Sequence, residues 1–124
     1  MDYQYSDYGY VSALGQFFIP RITQQESNIK AYKDGTITIV MCSIEDEHIV
    51  LRHDKTIPYE EHKMTQSSRP KELRVIDELG RVGLLKEHME TLKISPHDVL
   101  VSFLCCDGTI RLRPLTSCEN TTQL

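Results

Sequence analysis

Five histidines (His48, His53, His62, His88, His97) and four cysteines (Cys42, Cys105, Cys106, Cys118) are the side chains that could bind a metal or form a nucleophile. Their spacing argues against both. No His or Cys repeat places ligands around a tetrahedral metal, and no Cys–His pair is marked out as nucleophile and base. Glu45-Asp46-Glu47 and Glu60-Glu61 read as solvated acids without general acid–base work. No glycine-rich phosphate loop is present. No catalytic residue, metal or cofactor is therefore expected. The remaining chemistry is cationic and aromatic. Lys63, Arg69, Lys71 and Arg74 form a basic cluster that reads either as a phosphate-binding arm or as a solvated linker. Arg111 and Arg113 alternate with Ile110 and Leu112, the pattern of the wet face of a strand. Tyr3, Tyr5, Tyr8 and Tyr10 could stack on bases or on a partner, or pack on their own domain.

The elements that must carry these residues are small. With 124 residues, 40% hydrophobic and 26% charged, the composition is that of a soluble globular chain with one domain, or two very small ones sharing a core. The apolar runs are strand-sized, so no membrane span is expected. The start, MDYQYSDYGY, lacks the basic and apolar segments of a signal peptide. A cytoplasmic protein with reduced cysteines is expected, since Cys105 and Cys106 are adjacent and would point to opposite faces of a strand. The net charge is −4. Residues 1–62 carry five cations against ten acids, and residues 63–124 carry nine against eight. The chain as a whole does not attract nucleic acid, so any such contact requires a local patch.

Residues 1–9 have no clear period and read as a flexible arm. Tyr10–Ala13 enters a strand, Leu14-Gly15 turns, and Gln16–Ile19 is a short apolar strand. Pro20 opens a short helix over Arg21–Asn28. Thr36–Ser43 and His48–His53 form a hairpin about Glu45–Glu47. Residues 54–72, with two prolines and mixed charge, read as a linker. Leu73–Glu78, the Leu79-Gly80 turn, Arg81–Leu85 and a helix at Lys86–Leu92 repeat the opening pattern. Val99–Cys106 and Thr109–Pro114 close it with a hairpin about Asp107-Gly108, and 116–124 is a short tail.

The two halves superimpose at a spacing of 65 (Leu14/Leu79, Gly15/Gly80, Ile19/Leu84, Arg21/Lys86, Ile29/Ile94) and then of 61 (Ile49/Ile110, Leu51/Leu112, Arg52/Arg113), with four extra residues in the first loop. Units at 10–53 and 73–115 are each too small for a self-sufficient core. Interleaved, they could close one barrel without exposed strand edges.

The stretch DELGRVGLLKEHMETLKISPHDVLVSFLCCDGTIRLRP resembles the AbrB/SpoVT/MazE family of swapped-hairpin DNA-binding domains. Asp77, Gly80 and Arg81, then Leu84, Leu92 and Ile94, then Pro96 and Asp98 before the last hairpin, carry the resemblance. The first half keeps Gly15, Ile19, Pro20 and Ile29, and two such units in one chain are similar to the layout of MraZ proteins. The resemblance implies a mainly β fold, with tandem units forming one β-barrel with short helices. It also implies double-stranded DNA as partner and a role in transcription regulation. Carried over by position, the DNA-binding candidates are Arg74, Arg81, Lys86 and Arg21, joined by Arg69 and Lys71 of the basic cluster. Such cations reach phosphates, and Arg81 could also make a bidentate contact to a base. Alternatively, Arg81 pairs with Asp77 or Glu78 across its own turn.

The chain departs from the family where DNA contacts are expected. Met89-Glu90 and Gln24-Gln25 occupy helix positions that are often Arg-Arg in AbrB-like members, and Gly9 and Gln16 stand opposite Arg74 and Arg81. A protein-interaction module, antitoxin-like or a barrel that has lost DNA binding, is the second expectation. Assembly into a homo-oligomer is open.

Overall fold

In the computed structural model, which describes residues 1–115, the chain is mainly β. The strands are β1 (Tyr3–Tyr10), β2 (Gln16–Phe18), β3 (Thr36–Glu45), β4 (His48–Pro58), β5 (Leu73–Val75), β6 (Arg81–Gly83), β7 (Val99–Cys105) and β8 (Ile110–Pro114). The helices are short: α1 (Arg21–Glu26), α2 (Tyr59–Thr65) with a 3-10 turn at Gln66–Ser68, and α3 (Lys86–Thr91). Six strands form one antiparallel sheet in the order β1-β7-β8-β4-β3-β5, and β2 pairs with β6 in a separate ribbon. Among the described residues these ladders leave β1 and β5 as edges and do not close into a barrel.

This order reads the same from either end when β1, β2, β3 and β4 are exchanged for β5, β6, β7 and β8. The first strand of each half lies against the hairpin of the other, β1 on β7 and β5 on β3. The register follows the same exchange. In the ribbon Phe17 faces Val82, 65 residues away, flanked by Gln16–Gly83 and Phe18–Arg81. At the sheet centre Val50 faces Arg111, 61 residues away, flanked by Ile49–Leu112 and Leu51–Ile110. Backbone bonds across the ribbon are reciprocal: Ile19 N–H donates to Gly80 O and Leu84 N–H to Gly15 O, each at 3.0 Å.

The alternation of apolar residues puts one sheet face onto the ribbon. Val11, Phe17, Ile29, Ile49, Leu51, Ile76, Val82, Leu100, Ile110 and Leu112 are fully buried there. Removing these side chains from water supplies the main stabilisation, roughly 1.5–3 kcal/mol for each large one. The opposite face carries two smaller clusters, Ile37, Ile39 and Ile57, and Val101, Phe103 and Cys105.

Two segments differ from the sequence reading. Residues 1–9, expected to be a flexible arm, belong mostly to β1, whose backbone pairs with β7. The 54–72 linker is also structured: β4 continues to Pro58 and leads into α2. A register shift at Ile39/Val40 lets β3 pair along that whole length. The 116–124 tail lies outside the described residues. No helix among the described residues is long and apolar enough to cross a membrane.

Candidate nucleic-acid interface

The turn before β6 explains what holds Arg81. Asp77 Oδ1 accepts N–H bonds from Leu79 and Arg81, both at 2.9 Å, closing the turn around Gly80 at φ +81°. Asp77 Oδ2 accepts from Arg81 Nε at 2.6 Å, and the guanidinium lies 5.7 Å from the Phe18 ring centre. Arg81 is thus oriented by a carboxylate and a ring, and its side chain is only 27% exposed.

Arg74 is a structural tie. Its Nε donates to Gly83 O at 2.9 Å, and a Cβ on Gly83 would meet Arg74 Nη2 at 2.7 Å. In the other half the volumes are exchanged. Gly9 stands 65 residues before Arg74, and a Cβ on it would meet the ring of Phe17, the counterpart of Val82, at 2.5 Å. One half places the bulk on the ribbon and the other on the first strand.

The linker cations are also engaged. Lys71 Nζ lies 2.8 Å from Glu87 Oε1 on α3. This contact raises the lysine pKa and holds the Glu87 carboxyl below its usual range, chiefly through the shared hydrogen bond. Arg69 sits 3.0 Å from His62 Nδ1 and donates to Thr65 Oγ1. Burial, then the Arg69 charge, lowers the His62 pKa. Of the six sequence candidates, Arg69, Lys71, Arg74 and Arg81 are committed to internal contacts.

Arg21 and Lys86, the first residues of α1 and α3, are exposed and have no internal partner for their side chains among the described residues. Their surroundings differ. Gln24, on the inward side of α1, donates from Nε2 to Ile19 O at 3.0 Å and accepts from Ala31 N–H at 2.9 Å. Tyr32 N–H donates to Asp77 O at 3.2 Å. These bonds pin the 27–35 loop beside the 77–80 turn and leave a groove of about 840 Å³ lined by Arg21, Gln25, Lys30, Tyr32, Lys33 and Glu78, among others. Lys30 and Lys33 are likewise exposed and without a side-chain partner among the described residues. Sequence reasoning missed both. The signal was the four extra residues between Ile29 and Ile49, which supply this loop.

Around α1 and its loop, Arg21, Lys30 and Lys33 outweigh Glu26 and Asp34, leaving one net positive charge over residues 20–35. Around α3 and its loop, Lys86 and Lys93 face Glu87, Glu90 and Asp98, leaving one net negative charge over residues 85–98. No His, Cys, Asp or Glu group among the described residues converges to hold a metal. Burial pushes the Cys42 thiol up to about 12, against a smaller opposing pull from Arg74, so it stays protonated at neutral pH. No model of a known protein family matches the chain, and no curated protein matches it in sequence.

Proposed function

We propose that the chain is a DNA-binding transcription regulator of the AbrB/SpoVT type. Its two tandem units, at 10–53 and 73–115, would exchange first strands and build one rigid platform, acting in the cytoplasm on double-stranded DNA. The observation that carries this reading is the reciprocal pairing of β1 with β7 and β5 with β3 about the Phe17–Val82 and Val50–Arg111 pairs. It supports the reading because interleaving of two units is what the resemblance implies. The platform holds Arg21 and Lys86 exposed at matching places, where each can neutralise a phosphate. Fluorescence anisotropy with labelled duplex fragments, across a salt series, tests the reading. Binding that weakens with salt supports it, and a folded sample that binds no duplex at about 50 mM salt contradicts it.

A second reading is a protein-interaction module. It is favoured by the internal engagement of Arg69, Lys71, Arg74 and Arg81. Co-purification of a stoichiometric protein partner, with no salt-sensitive duplex binding, would select it.

A further inference from the structure

We infer that DNA contact is one-sided. The phosphate backbone of a duplex is held by the α1 groove through Arg21, Lys30 and Lys33, so the complex has a single orientation although the backbone fold is nearly two-fold. This inference rests on the DNA reading above and deepens it. Three exposed cations without side-chain partners among the described residues line one groove, with Glu78 as the opposing charge. The groove wall is fixed by the Gln24 bonds to Ile19 and Ala31 and by the Tyr32–Asp77 bond, so the lysine-bearing loop is anchored at its base. The shorter loop after α3 offers Ser95, Pro96 and Asp98, and Asp98 Oδ2 already accepts from Ser95 N–H at 2.8 Å. Glu90 on α3 repels a phosphate at the position where α1 presents Gln25, while the acid of α1, Glu26, lies outside the residues that line the groove. A protein with two equal faces reads a palindrome equally in both directions, whereas one with a single charged face binds one way round on an asymmetric site.

The test compares the folded wild type with two surface variants, Arg21→Gln/Lys30→Gln/Lys33→Gln and Lys86→Gln/Lys93→Gln. Circular dichroism checks folding, and duplex affinity is read across a salt series. Each lost phosphate contact flattens the log–log slope by about 0.9. The triple variant should therefore lose about 2.7 and the double variant no more than about 0.9. Equal losses per cation on the two sides overturn the one-sided contact while leaving DNA binding intact. Absence of wild-type binding to any duplex overturns both. Poly-aspartate binding as tightly as the duplex, with the same dependence on the groove cations, assigns the groove to acidic protein instead and overturns the inference.

Discussion

The α1 and α3 sides share a backbone plan but use their cations in opposite ways. The half that carries α3 has the stronger sequence resemblance, yet its Arg74 and Arg81, and Lys71 just before it, are bound to Gly83, Asp77 and Glu87. The half that carries α1 lacks the Gly-Arg turn and carries Gln24-Gln25, yet Arg21, Lys30 and Lys33 have no side-chain partner among the described residues and line a groove closed by the 77–80 turn of the other half. A cation's residue type gives its charge, but its partner decides whether that charge faces solvent.

The matching glycines offer the largest break in this comparison. Gly15 and Gly80 have φ of +78° and +81°, so alanine strains either turn. A Cβ at Gly80 would also lie 2.2 Å from Gln24 Nε2, whereas at Gly15 the nearest atom is Met89 Sδ at 3.6 Å. Chemical denaturation should show Gly15→Ala destabilising by about 1–2 kcal/mol. Gly80→Ala should lose about 1 kcal/mol more, from the displaced Gln24 hydrogen bonds. Equal losses would mean that Gln24 moves aside freely and does not hold the groove wall.

Arg74→Ala comes next. It leaves Gly83 O without its side-chain donor and should destabilise by roughly 1–2 kcal/mol, while the salt slope of duplex binding stays that of the wild type. A flatter slope would return Arg74 to the DNA face. Glu87→Gln acts in the other direction, freeing Lys71 and removing the net negative charge around α3. With contact confined to the α1 groove the salt slope should stay unchanged, and a slope steeper by about 0.9 would bring Lys71 and the α3 side onto the DNA.

The smallest expected effect distinguishes the two hairpins. Glu45, on β3, is lowered to about 2, first by its hydrogen bond from Arg52 and then by that from Ser43. A carboxyl depressed on folding contributes stability that is present above its ordinary value of 4.5 and is lost as pH falls toward 2. Thermal melts of Glu45→Gln between those limits should fall less steeply with acid than those of the wild type. Identical slopes would remove Glu45 from the account.

Much of the fold was legible because local patterns and tertiary structure agree. Gly15 and Gly80 mark turns by their conformational freedom, and the alternation of apolar residues marks the strands of both hairpins. What was hidden depends on distant partners. Tyr3–Tyr10 has no period strong enough to announce a strand, because β7 supplies its pairing. The 54–72 stretch reads as a linker from its prolines and mixed charge, whereas the shift at Ile39/Val40 that lets β3 keep pairing with β4 as far as Pro58 has no mark in the sequence. Arg81 was open between DNA and Asp77, and the 2.6 Å contact from its Nε to Asp77 Oδ2 joins two residues that the sequence already offered as a pair. Lys71 could not be matched with Glu87, 16 residues on, without the path of the chain between them. Lys30 and Lys33 were overlooked because they lie in the loop where the two halves stop matching.

Amide chemical-shift perturbation of the ¹⁵N-labelled wild type, titrated with a short duplex at low salt, tests the one-sided contact most directly. The account predicts shifts concentrated at residues 19–35 and in the neighbouring 77–80 turn, with much smaller ones at 84–98. Equal shifts on the two sides, larger shifts around α3, or none at all would contradict it.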